Sequence, residues 1–387
     1  MDKFLDAIER IAPTLTNTIE QDEQNGRVSG SIITALRGAG LYNLFLPVSL
    51  GGFEADPLTV AKLTERVAHY NAAAAWSVMV MNISNWVCRF LPAEVVEEIY
   101  HPGETFCAGT FAAPVFAEKT KGGYLIKGQA PLCSNVHQAQ WITLLSIVMQ
   151  DGQPVMNNGM PELRAVFLKS GDCRILETWQ ALGMKATDSN DVVVENAFVP
   201  QDYSFILSPH SERNKHYKNA LYRFPLTGII SCCLIVPAAL AIATNAIEEL
   251  KLLTGKMPSG SATTLKEKAG FQRKLGMAEA MVSSARAYLH QTLSDCWSKV
   301  QSGEEASTQD KANLLLSASH VNISCTNAVD LVYSASGTTG VYRRNNISRH
   351  FTDMQVVRQH GFANENRFET AAQLILGLQP DFFPAIL

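Results

Sequence analysis

Charge is sparse in this sequence. Asp, Glu, Lys and Arg make up 18% of its 387 residues, and the formal net charge is −4. A nucleic-acid binder normally carries a basic excess arranged as a stripe, so that class finds no support. The eight cysteines are scattered apart from the adjacent Cys232 and Cys233, and no C-x-x-C spacing occurs. Neither a metal site nor a disulfide framework is indicated, and a reduced, cytoplasmic compartment fits best. The opening stretch, Met1 to Asp6, mixes charges and holds no apolar run, so no signal peptide is visible. A dinucleotide fingerprint is missing as well, since no G-x-G-x-x-G follows an apolar run.

Apolar residues, by contrast, are plentiful. At 47% hydrophobic the chain is too apolar for disorder, and a chain of this length buries about 75% of the surface its unfolded form exposes. From Phe224 to Ile247 there is no charged residue at all. Length alone would let this run cross a membrane. Pro225, Pro237, its small and polar residues and the lack of a second such run instead predict a helix buried at the centre of a large bundle.

The texture changes twice along the chain. Residues 1–103 read as helical: Val60, Leu63, Val67 and Tyr70 recur at helical steps, Asn71 to Phe90 is nearly uncharged, and a short helix opens at Pro92 and closes at Pro102 and Gly103. Residues 104–210 alternate short β-forming runs with turns, at 105–110, 122–128, 141–145, 164–168 and 191–195. Residues 211–387 return to helix, with long segments predicted over 226–253, 264–301 and 307–337 and a hinge at Ser259-Gly260-Ser261. Helices, then strands, then long helices predict an α+β protein with the two kinds of structure segregated.

Several strings lie in a suggestive order. They are Gly40-Leu41-Tyr42 with Leu50-Gly51-Gly52, Ile126 to Gln129 with Ser134-Asn135, Leu182 to Ser189 with Phe198-Val199-Pro200, and Gly337-Thr338-Thr339-Gly340 followed by Arg349 to Asp353. Together they resemble the acyl-CoA dehydrogenase fold over essentially the whole chain. The resemblance implies an N-terminal helical domain, a middle β-domain and a C-terminal four-helix bundle holding flavin. It casts Ser134 and Asn135 as flavin contacts and the Gly337, Thr338, Thr339, Gly340 turn as an approach to phosphate or adenine. On its own Ser134 reads equally as a turn residue bonded to its own backbone, and the glycine turn as a helix C-cap. Asp353 is either the residue that closes the site or a capping carboxylate.

A dehydrogenase of this fold needs a carboxylate base above the flavin. One place the resemblance provides is occupied by Gly361, and the other lies on a stretch, Arg213 to Ile247, that has no Asp or Glu. Both are empty, which argues against α,β-dehydrogenation. The closing segment Asp353 to His360 instead resembles the two-component flavin-dependent monooxygenases built on this fold, which carry a histidine at the position of His360. That family often has a further histidine where this chain has Gln355, and a glycine where it has Asp188.

The resemblance implies an oxygenase component that uses reduced flavin (FADH2 or FMNH2) and O2, with a separate NAD(P)H:flavin reductase. It further implies a homotetramer, no nucleic acid, no membrane and no metal. Its substrate would be a small electron-rich aromatic, indole-3-acetate or indole. His360, a buried imidazole with an ordinary pKa near ambient pH, would accept a ring proton; unaided, the residue reads as a helix histidine bonded to a carbonyl. Ser134 would assist catalysis. Substrate contacts would come from His137, Ser189, Trp86, Phe106 and Arg358, with Trp76, Phe111, Trp141 and Trp179 as further aromatic candidates, although aromatics are more often plain core. Arg358 or Arg223 would pair with a substrate carboxylate. The alternatives are an acyl-CoA dehydrogenase or oxidase with a displaced base, an N-hydroxylating monooxygenase, and a flavin-free scaffold.

Overall fold

The computed structural model describes residues 1–100, 105–157, 159–208 and 216–387, with Ala113 described by its backbone alone. The expected domain limits at 103/104 and 210/211, and the closing pair Pro102 and Gly103, lie outside the described residues.

Among the described residues, six α-helices come first: α1 (Asp2–Asn17), α2 (Ile19–Asn25), α3 (Gly30–Gly38), α4 (Pro57–Tyr70), α5 (Ala72–Val87) and α6 (Ala93–Tyr100). Asp56 starts α4 by accepting the Thr59 amide at 2.8 Å, and Asn71 starts α5 by accepting the Ala74 amide at 3.0 Å. Val60, Leu63 and Val67 are fully buried, as their spacing predicts. In α5 nearly every residue is buried, so its polar side chains must find partners inside the protein. Asn82 does so by joining three segments. Its Oδ1 accepts the Phe45 amide at 3.0 Å, and its Nδ2 donates to the carbonyls of Leu41 at 2.9 Å and Val78 at 2.8 Å.

The strands are β1 (Cys107–Thr120), β2 (Gly123–Cys133), β3 (Trp141–Gln150), β4 (Gln153–Pro154), β5 (Met156–Asn157), β6 (Met160–Pro161), β7 (Leu163–Lys169), β8 (Cys173–Leu176), β9 (Asn190–Pro200) and β10 (Ser204–Ile206). Their main sheet runs β10-β7-β3-β1-β2-β9-β8, with β4 beside β3, and among the described residues β1 and β3 are its one parallel pair. The first strand is longer than the 105–110 run predicts. It continues through an irregularity between Thr110 and Val115, where Pro114 has no amide to give the ladder. The bulged residues Phe111 and Ala112 are thereby turned toward the cavity described below.

Beyond the sheet stand α7 (Val236–Leu252), α8 (Ala269–Gln301), α9 (Thr308–Ser336), α10 (Asn346–Val357) and α11 (Asn366–Ile375). The α8 helix starts later than expected because Thr264 and Glu267 first close a capping box around a short 3₁₀ turn. Ser259-Gly260-Ser261 forms a turn closed by the Ser261 amide on the Pro258 carbonyl at 3.0 Å. The uncharged run is a helix buried among α4, α5, α8, α9 and α10. Its first part, Gly228–Ile235, is wound as a π-helix, which the sequence did not predict. Pro237 supplies a cause, because its ring lacks the amide that would bond the Cys233 carbonyl and crowds that carbonyl in an α-helix.

Replacing Asn82 with Ala strands the Phe45 amide and the Leu41 carbonyl in a dry interior. The expected loss is about 2–4 kcal/mol, to be read from the shift in denaturant midpoint at unchanged slope.

Candidate active site

A cavity of about 660 Å³ lies where α5, the β1 bulge, the start of β3, the 177–189 loop and the end of α10 converge. Its walls are mostly apolar: Trp76, Met79, Val80 and Ile83 from α5, Phe111 from the bulge, and Phe362 and Phe382 from the C-terminal region. Among the lining residues His360 is the only titratable side chain, and none is Asp, Glu, Lys or Arg. Gly361 lines the same cavity, and a Cβ placed there would meet nothing within 4 Å. Gly361, which the resemblance places where a dehydrogenase would carry its base, thus lines the cavity, and no Asp or Glu is among the described lining residues.

Ser134 sits at the centre of a chain of short hydrogen bonds. The Trp76 indole donates to its Oγ at 3.1 Å, and Ser134 and Ser189 hydroxyls lie 2.7 Å apart. Ser189 reaches Thr187 at 2.8 Å, and Thr187 donates to the Met184 carbonyl at 2.9 Å. This network fixes the hydroxyls before any ligand arrives. The Thr143 hydroxyl, which the sequence gave no signal for, also lines the cavity, is buried and has no partner in the protein. Asn135 is in a left-handed conformation at φ 56°, with its amide donating to the Thr187 carbonyl at 2.9 Å and both side-chain polar atoms buried without a partner.

The 182–189 loop is held against α10 by two contacts. Gly183 passes so close to the Thr352 carbonyl that a Cβ would stand 2.2 Å from its oxygen. Immediately beyond, the Met184 amide donates to Asp353 Oδ1 at 2.6 Å. Burial pushes the Asp353 carboxyl up to about 6, while the Met184 amide pulls it back toward its ordinary value. Asp188 has φ 52°. Aspartate tolerates that region better than most residues, and here its carboxylate is anchored by the amide and ring of His137, at 3.0 and 2.7 Å, and by Asn190 at 2.8 Å.

His360 follows the last turn of α10. Its ring meets Trp76 edge-on at 5.6 Å and tilts toward Phe362 at 6.1 Å. Burial pushes its pKa down to about 4, so the ring is neutral at physiological pH. Its Nδ1 accepts the Phe362 amide at 3.3 Å, a long contact that favours a proton on Nε2. The bonded-histidine expectation is thus met by an amide donor instead of a carbonyl acceptor.

Ser134, Ser189 and His360 are brought together with Trp76, Phe111, Trp179 and Gln355. Several expected contacts need correction. Trp86 is fully buried elsewhere, donating to the Leu221 carbonyl at 3.1 Å beneath the Arg89 guanidinium. Phe106 is buried edge-on against Tyr42, and Trp141 stacks on Tyr203 at 5.6 Å. His137 is held outside the lining by Asp188 and by Glu177 at 3.0 Å. Arg358 lies one residue out of phase with the cavity face of α10 and donates to Gln355 at 3.3 Å. Arg223 donates to the Val300 carbonyl at 2.7 Å. The Gly337–Gly340 turn is outside the lining, with Gly337 and Thr338 exposed and Lys256 donating to Thr339.

Residues 233–365 match the family model described as acyl-CoA dehydrogenase, C-terminal domain. The chain superposes on XiaF from Streptomyces sp., solved in complex with FADH2 and glycerol, with a TM-score of 0.90 and 19% identity, over 98% of this chain and 96% of that one. Helical region, sheet and helical bundle therefore make up the acyl-CoA dehydrogenase-like fold. An indole-3-acetate monooxygenase of Pseudomonas putida is 29% identical over 93% of this chain and 90% of its own length. A flavin-dependent monooxygenase oxygenase subunit, HsaA of Rhodococcus jostii (strain RHA1), is 23% identical over 93% and 94%. The chain is an oxidoreductase, similar along nearly its whole length to flavin-dependent monooxygenases.

The Asp353 carboxyl gives a pH signature. A carboxyl whose folded pKa is raised contributes most below its unfolded value near ~4 and loses that contribution as pH rises through about 6. Asp353→Asn keeps an oxygen for the Met184 amide and removes the titration. Relative to this variant, the native chain is expected to lose stability between pH 4 and 6 and to level off above, as read from denaturant midpoints across that range.

Proposed function

We propose that this chain is the oxygenase component of a two-component flavin-dependent monooxygenase that hydroxylates a small electron-rich aromatic of the indole class. The observation that carries the reading is the cavity itself: apolar walls, a fixed chain of hydroxyls, one neutral histidine and no carboxylate. The residues present fit a flavin ring. Thr143 offers a buried hydroxyl without a protein partner, Ser134 offers a second held by Trp76 and Ser189, and Trp179 supplies an aromatic face. Reduced flavin bound there supplies the two electrons that place one atom of dioxygen on the substrate and release the other as water.

The chain's own residues do the rest. Apolar walls keep water from the reacting atoms. Ser134 and Thr143 orient the ring system. His360, neutral and packed between Trp76 and Phe362, donates at Nε2 in its resting tautomer and accepts a proton at Nδ1 once the long Phe362 contact is released. The accepting role draws the ring proton of the aromatic toward the protein as oxygen is added, and the donating role orients an acceptor atom of the substrate. The relative from Pseudomonas putida, named for indole-3-acetate, favours an indole ring.

Reduced flavin comes from a separate NAD(P)H:flavin reductase, as the name oxygenase subunit in the Rhodococcus relative suggests. The Gly337–Gly340 turn faces outward, so it reaches a flavin only across a subunit contact, which accords with a homotetramer. A cytoplasmic setting suits a reduced cofactor and eight free thiols.

His360→Ala is expected to lower hydroxylation by about 10²–10³-fold while reduced flavin still binds and is reoxidised, now yielding hydrogen peroxide. Hydroxylation by the native chain is expected to hold level from pH 8 to 6 and to fall only toward the His360 pKa of about 4. Product and peroxide yields under a reductase-free supply of reduced flavin check both; unaltered hydroxylation in His360→Ala would remove His360 from the chemistry.

A further inference from the structure

The charge of the substrate can be read from the cavity. A carboxylate carried into a low-dielectric cavity must be met by a cation or by several donors, or it forfeits its hydration without return. Among the described residues no lysine or arginine lines this cavity. The two arginines whose sequence positions suggested a carboxylate partner are engaged elsewhere, Arg358 with Gln355 and beside the Asp330 carboxylate, Arg223 with the Val300 carbonyl. Lys185 and Arg349 line a separate polar cavity on the far side of Met184, in company with Glu20, Glu23, Glu248 and Glu249. Inside the site, the hydroxyls of Ser134, Ser189 and Thr187 are committed to one another and to Trp76 and Met184.

Resting on the monooxygenase reading above, we propose that the site selects neutral indoles and discriminates against indoles bearing a carboxylate, despite the kinship to an indole-3-acetate monooxygenase. The polar groups left to a substrate are the side-chain amide of Gln359 and the imidazole of His360, since the Trp76 and Trp179 N–H groups donate to Ser134 and to the Met184 carbonyl and Gln355 accepts from Arg358. These recognise an uncharged heterocycle and its neutral substituents. His360 adds no countercharge, because burial keeps it neutral down to about pH 4.

The test compares indole, indole-3-acetamide and indole-3-acetate on the full chain loaded anaerobically with reduced flavin. Dissociation constants come from equilibrium dialysis, and kcat/KM from oxygenated turnover. At pH 7.5 the acetamide is expected to exceed the acetate by at least about tenfold in both measures. The gap should narrow toward pH 5.5, as the neutral acid gains about tenfold per pH unit above its own pKa near ~4–5. Ala112→Arg, which places a cation at the exposed rim of the bulge, should move the preference toward the acetate. Acetate binding equal to or tighter than acetamide in the native chain at pH 7.5 overturns the proposal, as does failure of all three to bind. Ranked binding in the expected order with no hydroxylated product would uphold the selectivity and count against the monooxygenase reading, so the two fail separately.

Discussion

The Met184 amide and the Asp353 carboxylate join parts of the chain 169 positions apart with a single 2.6 Å hydrogen bond. On one side of that bond is the loop carrying Trp179, Thr187 and Ser189; on the other is the helix whose next turns present Gln355 and His360. Both halves of the cavity take their spacing from this contact. Gly183 permits it, because any side chain there would collide with the Thr352 carbonyl. The cost is a carboxyl buried against its preference for water, and the raised pKa of Asp353 is the measure of that conflict.

A dry, uncharged cavity follows from how its walls are made. The α5 helix is buried on nearly all faces and contributes apolar side chains on the one that meets the cavity. The β1 bulge turns Phe111 inward where Pro114 breaks the ladder. In such surroundings each hydrogen bond is stronger than in water and each lone polar group more costly. That is why the serine and threonine hydroxyls are tied to one another, and why the unpartnered hydroxyl of Thr143 stands out as a group kept for a ligand. The same surroundings keep His360 neutral and leave no place for an ionised carboxylate.

Much of the chain's plan was legible beforehand. The helical stripe on α4, the buried uncharged run, the strand-rich middle and the long bundle helices all express periodicities set by local backbone geometry, and those survive packing. Ser134, Ser189 and His360, which line the cavity, sit in strings that mark turns and helix ends. The misplaced residues share a different feature. Trp86, Phe106 and Trp141 are aromatics whose sequence neighbours are apolar on every side, so nothing local says whether they face a void or a core. Arg358 stands one helical step from the lining residue Gln359, and one step turns a side chain by about 100°. Thr143 lay in the middle of a strand, where a lone threonine reads as an ordinary β-former.

By itself, the sequence determined the order of the secondary structure, the poverty of charge and the lack of a carboxylate where a dehydrogenase base would stand, because each is a property of residues close together in the chain. Only the tertiary structure decided that His137 is tied to Asp188 outside the site, that Asp188 takes a left-handed turn, and that no cation among the described residues lines the cavity. Those outcomes depend on which surfaces of α5, the sheet and α10 meet. Long-range contact sets burial, and burial sets both the protonation of His360 and the charge the cavity will accept.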